Sequence, residues 1–197
     1  MKAAFVAALL SAAVVLTPPA VAAPCDLNLP TEQVLKQLNA LRAQGRVCGG
    51  QVMPPAAPLR WQPALVDAAS RYAAELSGRN GLSHTSLSGA TLADRLDAAR
   101  YPMRLAGENL ASGPDSIDEV ISLWLNSPGH CQNLMGSDFT EVGLACDIRG
   151  GHRAQPYWVM ELGRPRTLRP LQASATVRQV PEGLLAGDGP SVMMPAP

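Results

Sequence analysis

Between residues 31 and 162 the hydrophobic period of the chain switches from 3.6 to 2, and this switch constrains the fold more than any other feature. Thr31 is expected to cap a helix with Glu32 in its first turn, Val34, Leu35, Leu38 and Leu41 on one face, and a stop near Gly45. Pro63 opens a second. Its stripe is Leu65, Ala68, Ala69, Tyr72 and Leu76, and Arg79-Asn80-Gly81 supplies a basic last turn and a left-handed stop. Thr91 with Asp94 three residues on is a capping box for a third helix carrying Leu92, Leu96 and Ala99, ending before Pro102. Ser116 and Glu119 repeat the device for a fourth, with Ile117, Val120, Ile121, Trp124 and Leu125 on one face. Ser127-Pro128 ends it and caps a short fifth. Residues 105–111 form one candidate strand. Val142, Leu144, Cys146 and Ile148 alternate with Glu141, Gly143, Ala145 and Asp147 in a second, residues 156–162 form a third, and Gly150-Gly151 reads as the hairpin turn between the last two. Helices distributed around a short, mainly antiparallel sheet predict an α+β fold in layers.

The flanking segments lack such periods. Residues 49–58 hold Met53-Pro54-Pro55 and Pro58, which cannot keep a helical hydrogen-bond ladder, so a loop leading to Trp61 is expected. From Arg164 onward, six prolines with scattered glycines predict a disordered tail over 164–197. At the other end Lys2, the apolar run 3–16 and Ala20-Val21-Ala22 have the form of a secretory leader over 1–22, which leaves the domain to 23–163. Removing the leader leaves roughly 175 residues, one domain's worth. No later apolar run approaches the ~20 residues that cross a bilayer, so no transmembrane segment is expected in the mature chain. A soluble monomer, secreted or periplasmic, follows as the expectation. With 16 Lys+Arg against 16 Asp+Glu and 16% charged residues, the chain is neither a disordered acidic tail nor a basic nucleic-acid binder, and no nucleic-acid partner is implied.

Four cysteines, Cys25, Cys48, Cys131 and Cys146, lie beyond the leader. In an oxidising compartment an even number pairs, and sequence alone leaves three connectivities open. Cys131 follows His130, which raises a thiol nucleophile; oxidation in this compartment argues against it.

Few residues are available for chemistry. His84 lies just past a helix stop and His130 just inside a helix start, the element ends where sites tend to sit, whereas His152 at the hairpin tip is expected to be a solvated turn residue. Glu108 interrupts the small and apolar run Leu105-Ala106-Gly107-Glu108-Asn109-Leu110-Ala111, so if buried it needs a hydrogen bond, a cation or a metal. Glu141 opens a strand on the face opposite Val142 and Leu144, and Gly143 beside it leaves room above the carboxylate. Two imidazoles and two carboxylates suit a borderline divalent ion such as zinc, with a position left for water or ligand. The positive end of the fifth helix would keep His130 neutral. Scattered His and Glu are ordinarily surface groups, and no compact metal motif fixes these four locally. Trp61, Trp124 and Trp158 are expected to be core anchors.

Four stretches carry a resemblance: Leu82-Ser83-His84-Thr85; Ala106-Gly107-Glu108-Asn109-Leu110-Ala111; residues 124–135, which contain Ser127-Pro128-Gly129-His130-Cys131; and Phe139-Thr140-Glu141-Val142-Gly143-Leu144. In this order they resemble the bacterial branch of the CAP superfamily, the cysteine-rich secretory, antigen 5 and pathogenesis-related proteins, over about residues 31–163. The resemblance implies an α-β-α sandwich with a central antiparallel sheet. It also implies a cleft lined by His84, Glu108, His130 and Glu141 as a tetrad for a divalent metal such as zinc. Eukaryotic relatives have Gly-His-Phe-Thr-Gln where this chain reads Gly136-Ser137-Asp138-Phe139-Thr140-Glu141, and a glutamate where it has Ser127, so their metal and lipid binding transfer weakly. Relatives also suggest pairing Cys48 with Cys131 and Cys25 with Cys146. The function implied is a secreted binding module for a divalent ion and a small apolar or peptide ligand or extracellular partner, without turnover. The alternatives are a metal-dependent hydrolase with a glutamate general base and an extracellular lipid or sterol carrier.

Overall fold

Two glycines in the sheet set how closely helices approach it. A computed structural model describes residue 25, residues 30–148 and residues 155–166; the leader expected over 1–22, the hairpin turn expected at Gly150-Gly151 with His152, and most of the tail expected over 164–197 lie outside the described residues. In chain order the elements are α1 (Thr31–Gln44), β1 (Arg46–Cys48), β2 (Gln51–Met53), β3 (Arg60–Trp61), α2 (Pro63–Arg79), α3 (Leu92–Ala98), β4 (Met103–Ser112), α4 (Ile117–Asn126), α5 (Pro128–Met135), β5 (Glu141–Asp147) and β6 (Tyr157–Pro165). The main sheet has the order β3-β5-β6-β4, parallel between β3 and β5 and antiparallel elsewhere.

Alternation sorts the side chains onto two faces. Val142, Leu144, Trp158, Met160 and Leu162 meet Val34 and Leu38 of α1, Val120, Ile121 and Trp124 of α4 and Leu134 of α5. On the opposite face Leu110, Ala145, Tyr157 and Val159 meet Ala69, Tyr72, Ala73 and Leu76 of α2, while Leu96 and Tyr101 pack with Leu65 and Ala68. The result is the expected α-β-α sandwich. A Cβ on Gly143 would lie 2.3 Å from the Leu65 carbonyl carbon and the Val66 nitrogen, so α2 rests on β5 backbone to backbone. At Gly163 the same space receives the Tyr101 ring.

Three expectations need correction. Residues 51–53 are not loop: they pair with β1 through Gly49 (φ 58°) and Gly50 (φ 89°), a ribbon too short to show a period. Thr31 is the first helical residue of α1 and Pro30 the cap, while Ser127 caps α5 without a side-chain bond. β6 continues through Arg164 to Pro165, past the boundary expected at 163; β5 has ended at the Glu141–Gly163 pair, so one edge is open there and tolerates a residue without an N–H. By contrast, the α3 capping box forms in full. At α4 Ser116 accepts from the Glu119 N–H, while the Glu119 carboxylate turns to the Asp115 N–H.

Two covalent ties and one buried arginine lock the layers. Disulfides join Cys25 to Cys146 and Cys48 to Cys131, with Cα separations of 5.6 and 5.5 Å, which removes Cys131 as a nucleophile. Cys48–Cys131 holds the first turn of α5 against the β1–β2 ribbon, and Gly49 packs against Pro128. Replacing Cys48 and Cys131 together by serine is expected to lower stability by about 2–4 kcal/mol in denaturant melts. Arg42 on α1 is buried and donates to the carbonyls of Ala57, Leu134, Gly136 and Phe139.

Candidate functional site

α2 positions the first histidine through its last turn. Asn80 takes the left-handed conformation (φ 54°) that ends the helix, and the chain turns back along it. The turn is pinned: the Tyr72 hydroxyl donates to the Ser83 carbonyl, Arg79 Nη1 donates to the Thr85 carbonyl at 3.2 Å, and the Leu87 N–H donates to Glu75 at 2.8 Å. His84 Nδ1 then lies 2.6 Å from Glu108 Oε1. The other Glu108 oxygen accepts from Arg95 Nη2 at 2.5 Å, and the Arg95 guanidinium sits 3.5 Å above the Tyr72 ring centroid. The Glu108 and Arg95 side chains are 3% and 9% exposed, so this is a buried ion pair with hydrogen bonds on both sides. A carboxylate can only accept, so His84 presents Nδ1–H to Glu108 and its lone pair on Nε2. The imidazole is 63% exposed, which leaves that lone pair available.

β4 is the outer strand of the sheet, and α4 and α5 cover its free edge. The outward carbonyls of Glu108 and Leu110 accept from Asn133 Nδ2 at 3.2 Å and Trp124 Nε1 at 3.0 Å. Asn133 also donates to the Asn109 side chain at 2.9 Å, and Asn109 donates to the His130 carbonyl at 3.0 Å. His130 is thereby fixed to the residue next to Glu108. Its Nδ1 is buried without a hydrogen-bond partner. Burial, and after it the charge of His84, holds the His130 pKa below the usual imidazole value. The neutrality expected at this helix start thus has burial as its main cause. The two histidines come from opposite layers of the sandwich and lie near enough to the β4 edge for one to act electrostatically on the other.

Glu141 is held elsewhere. Its oxygens accept from Arg60 at 3.1 Å and from the Tyr101 hydroxyl at 2.8 Å, and burial together with this bond raises the Tyr101 pKa. Two strand spacings, roughly 10 Å, separate β5 from β4. The room expected above Gly143 is filled by α2. The structure therefore gathers His84, Glu108 and His130 and sets Glu141 apart with its own partners. Among the described residues, no group of three or more His, Cys, Asp or Glu side chains is arranged to hold a metal ion.

The residues missed from sequence are Arg95, Tyr72, Asn109, Asn133 and Glu161. Glu161 carried the same signal as Glu108, a carboxylate within the apolar run Val159-Met160-Glu161-Leu162. Arg95 carried none: a basic residue between Leu92 and Leu96 is ordinary on an amphipathic helix.

A profile of the cysteine-rich secretory protein family, CAP, matches residues 35–162, well over half of the chain. The chain belongs to the CAP family. Among curated proteins it is 33% identical over 116 residues to an uncharacterized membrane protein, YlbC, of Bacillus subtilis, covering 59% of this chain and 31% of that protein. It is 25% identical over 122 residues to the uncharacterized protein YkwD of the same bacterium, covering 62% and 44%. The chain thus spans less than half the length of either relative. An extracellular protein containing an SCP domain from Bacillus anthracis superposes with a TM-score of 0.55 at 26% identity, covering 68% of this chain and 39% of that one. An outer surface protein of Borrelia burgdorferi shares the CAP fold with a TM-score of 0.59 at 23% identity, over 73% and 98%. No helix among the described residues is long and apolar enough to cross a membrane.

Proposed function

We propose that this CAP protein is an exported, non-enzymatic binding module in which His84 and His130 together take a divalent ion of borderline softness, such as zinc, beside a small apolar or peptide ligand. The observation that carries the reading is the 2.6 Å bond between His84 Nδ1 and Glu108, backed by Arg95. A carboxylate behind an imidazole fixes its tautomer and raises its basicity, the usual outer-sphere arrangement of a ligating histidine. The half-buried His130, whose Nδ1 has no hydrogen-bond partner, and its lowered pKa favour the neutral ring that a ligand must be. Both carboxylates proposed from sequence already have partners, so Glu108 acts behind His84 and Glu141 holds Arg60 and Tyr101. A bound ion would supply Lewis acidity to a ligand oxygen, and the chain itself offers two nitrogens and an open approach.

Exposed apolar side chains flank both histidines. Leu82 and Leu87 lie on the His84 turn, and Leu123, with Ser122, Asn126 and Ser127, lines an open groove that includes His130. Export is supported by the leader-like residues 1–22 and by the extracellular description of the Bacillus anthracis neighbour.

Zinc titration by calorimetry tests the reading. The wild type should bind one equivalent, His84→Ala and His130→Ala should each weaken binding at least tenfold, and Glu108→Gln about 10- to 100-fold, the usual effect of losing an outer-sphere carboxylate. A wild type that takes up no zinc overturns the proposal. Chelator-sensitive hydrolysis of a substrate panel would favour the enzyme reading instead, and co-purified lipid seen by mass spectrometry the carrier.

A further inference from the structure

Glu161 is the one carboxyl group among the described residues that is fully buried, 0% exposed, with no hydrogen-bond donor at either oxygen. We infer that Glu161 is a positioning residue of the cleft, a neutral carboxylic acid whose O–H donates to Glu108 and steadies the carboxylate that orients His84.

The sheet register places the two groups together. Glu161 on β6 is the partner of Glu108 on β4 and of Gly143 on β5. The Gly113 N–H donates to the Pro156 carbonyl, so along this ladder the hydrogen-bonded pairs fall at residues 109, 111 and 113, and Glu108–Glu161 is a non-hydrogen-bonded pair. In such pairs the side chains stand closest, with Cβ atoms about 4.5–5.5 Å apart. The outward turn of the Glu108 carbonyl to Asn133 agrees with this assignment. Two ionised carboxylates at that spacing repel; one carboxylic acid and one carboxylate form a strong, charge-assisted hydrogen bond.

Charge counting leads to the same state. The charged groups that act on Glu161 are Glu108 from β4 and Arg95 from α3; β5 offers Gly143, over which the Leu65–Val66 backbone of α2 lies. Arg95 is one cation, and its terminal nitrogens are committed to Glu108 and to the carbonyls of His84 and Ala90. One positive charge compensates one carboxylate, and the second avoids an isolated buried charge by keeping its proton. Burial, followed by the Glu108 charge, raises the Glu161 pKa well above the usual carboxyl range, with Arg95 opposing. Protonation turns one Glu161 oxygen, which has no donor to accept from, into a donor to Glu108. Glu108 then has three partners, His84, Arg95 and Glu161, which fix its torsions and so the direction of the Nδ1–H bond.

The inference does not depend on metal binding, and its test uses the metal-free, chelator-treated full chain. With ¹³C-labelled glutamate, the Glu161 carboxyl carbon should report the acid form at pH 7, and an ionised Glu161 at that pH overturns the inference. Glu161→Gln keeps a neutral donor and should leave the His84 tautomer unchanged in ¹⁵N imidazole spectra. Glu161→Leu removes the donor while filling the space, and should let His84 exchange between its Nδ1–H and Nε2–H forms. A tautomer unaffected by both substitutions would reduce Glu161 to a packing role and contradict the inference. Stability gives an independent sign. A carboxyl whose folded pKa lies above its unfolded value of about 4.3 contributes stability that is complete below that pH and is lost as pH rises towards the folded pKa. The Tm of Glu161→Gln should therefore gain on that of wild type as pH rises from about 5; a constant difference counts against the inference.

Discussion

Arg42→Met should destabilise the domain by about 3–5 kcal/mol, the usual cost of breaking a buried charged network, and lower Tm by roughly 10 °C or more in calorimetry. The volumes are similar, so the loss is one of hydrogen bonds: four carbonyls, those of Ala57, Leu134, Gly136 and Phe139, share a single guanidinium. The Leu134 bond, at 2.7 Å, lies in the last turn of α5, and Gly136 caps that helix. Arg42 thus ties α1 to the end of the helix whose first turn carries His130. Burial lowers its pKa but cannot remove the charge of a guanidinium. Arg42→Lys keeps the charge without the fork and should recover little of the loss. A variant within 1 kcal/mol of wild type would show that water or rearranged backbone satisfies these carbonyls.

Gly143→Ala should be nearly as costly, about 3 kcal/mol, with weaker binding at His84 as a consequence. Overpacking usually costs 1–3 kcal/mol when side chains can yield; here the new methyl meets backbone, the Leu65 carbonyl carbon and Val66 nitrogen at 2.3 Å. α2 must lift from the sheet to admit it. Tyr72 on that helix stacks on Arg95 and holds Ser83, so the displacement reaches the His84 turn. An unchanged Tm together with unchanged His84 resonances would mean that α2 is not held against β5 as described.

Much of this was legible in the residues. α2, α3 and α4 follow from caps and a 3.6 period along one buried face, and β5 from alternation although both of its faces are buried, because these signals are local. The β1–β2 ribbon was not legible, since three-residue strands establish no period and the following prolines suggest a loop. Nothing in the local pattern marks Arg42, in the last turn of α1, as interior; only the arrival of the Ala57, Leu134, Gly136 and Phe139 carbonyls around it makes it so. A carboxylate against an apolar pattern marked Glu108 as a group that needs partners if buried, and it has them in His84 and Arg95. At Glu141 the expected room is filled by α2, and its partners were not foreseen, because Arg60 and Tyr101 are brought to it by the sheet and by the segment after α3, across distances that spacing does not encode. Glu161 was marked equally well by its run and overlooked.

The central claim is that His84 and His130, from opposite layers of the sandwich, serve one ligand at the β4 edge. Its most direct test is zinc titration of ¹⁵N-histidine protein followed by imidazole spectra. The account predicts that the His84 and His130 resonances move together and saturate at one equivalent, and that in His84→Ala the His130 resonance does not move over the range that saturates the wild type. Independent saturation of the two rings, or a His130 response that survives in His84→Ala, would contradict it.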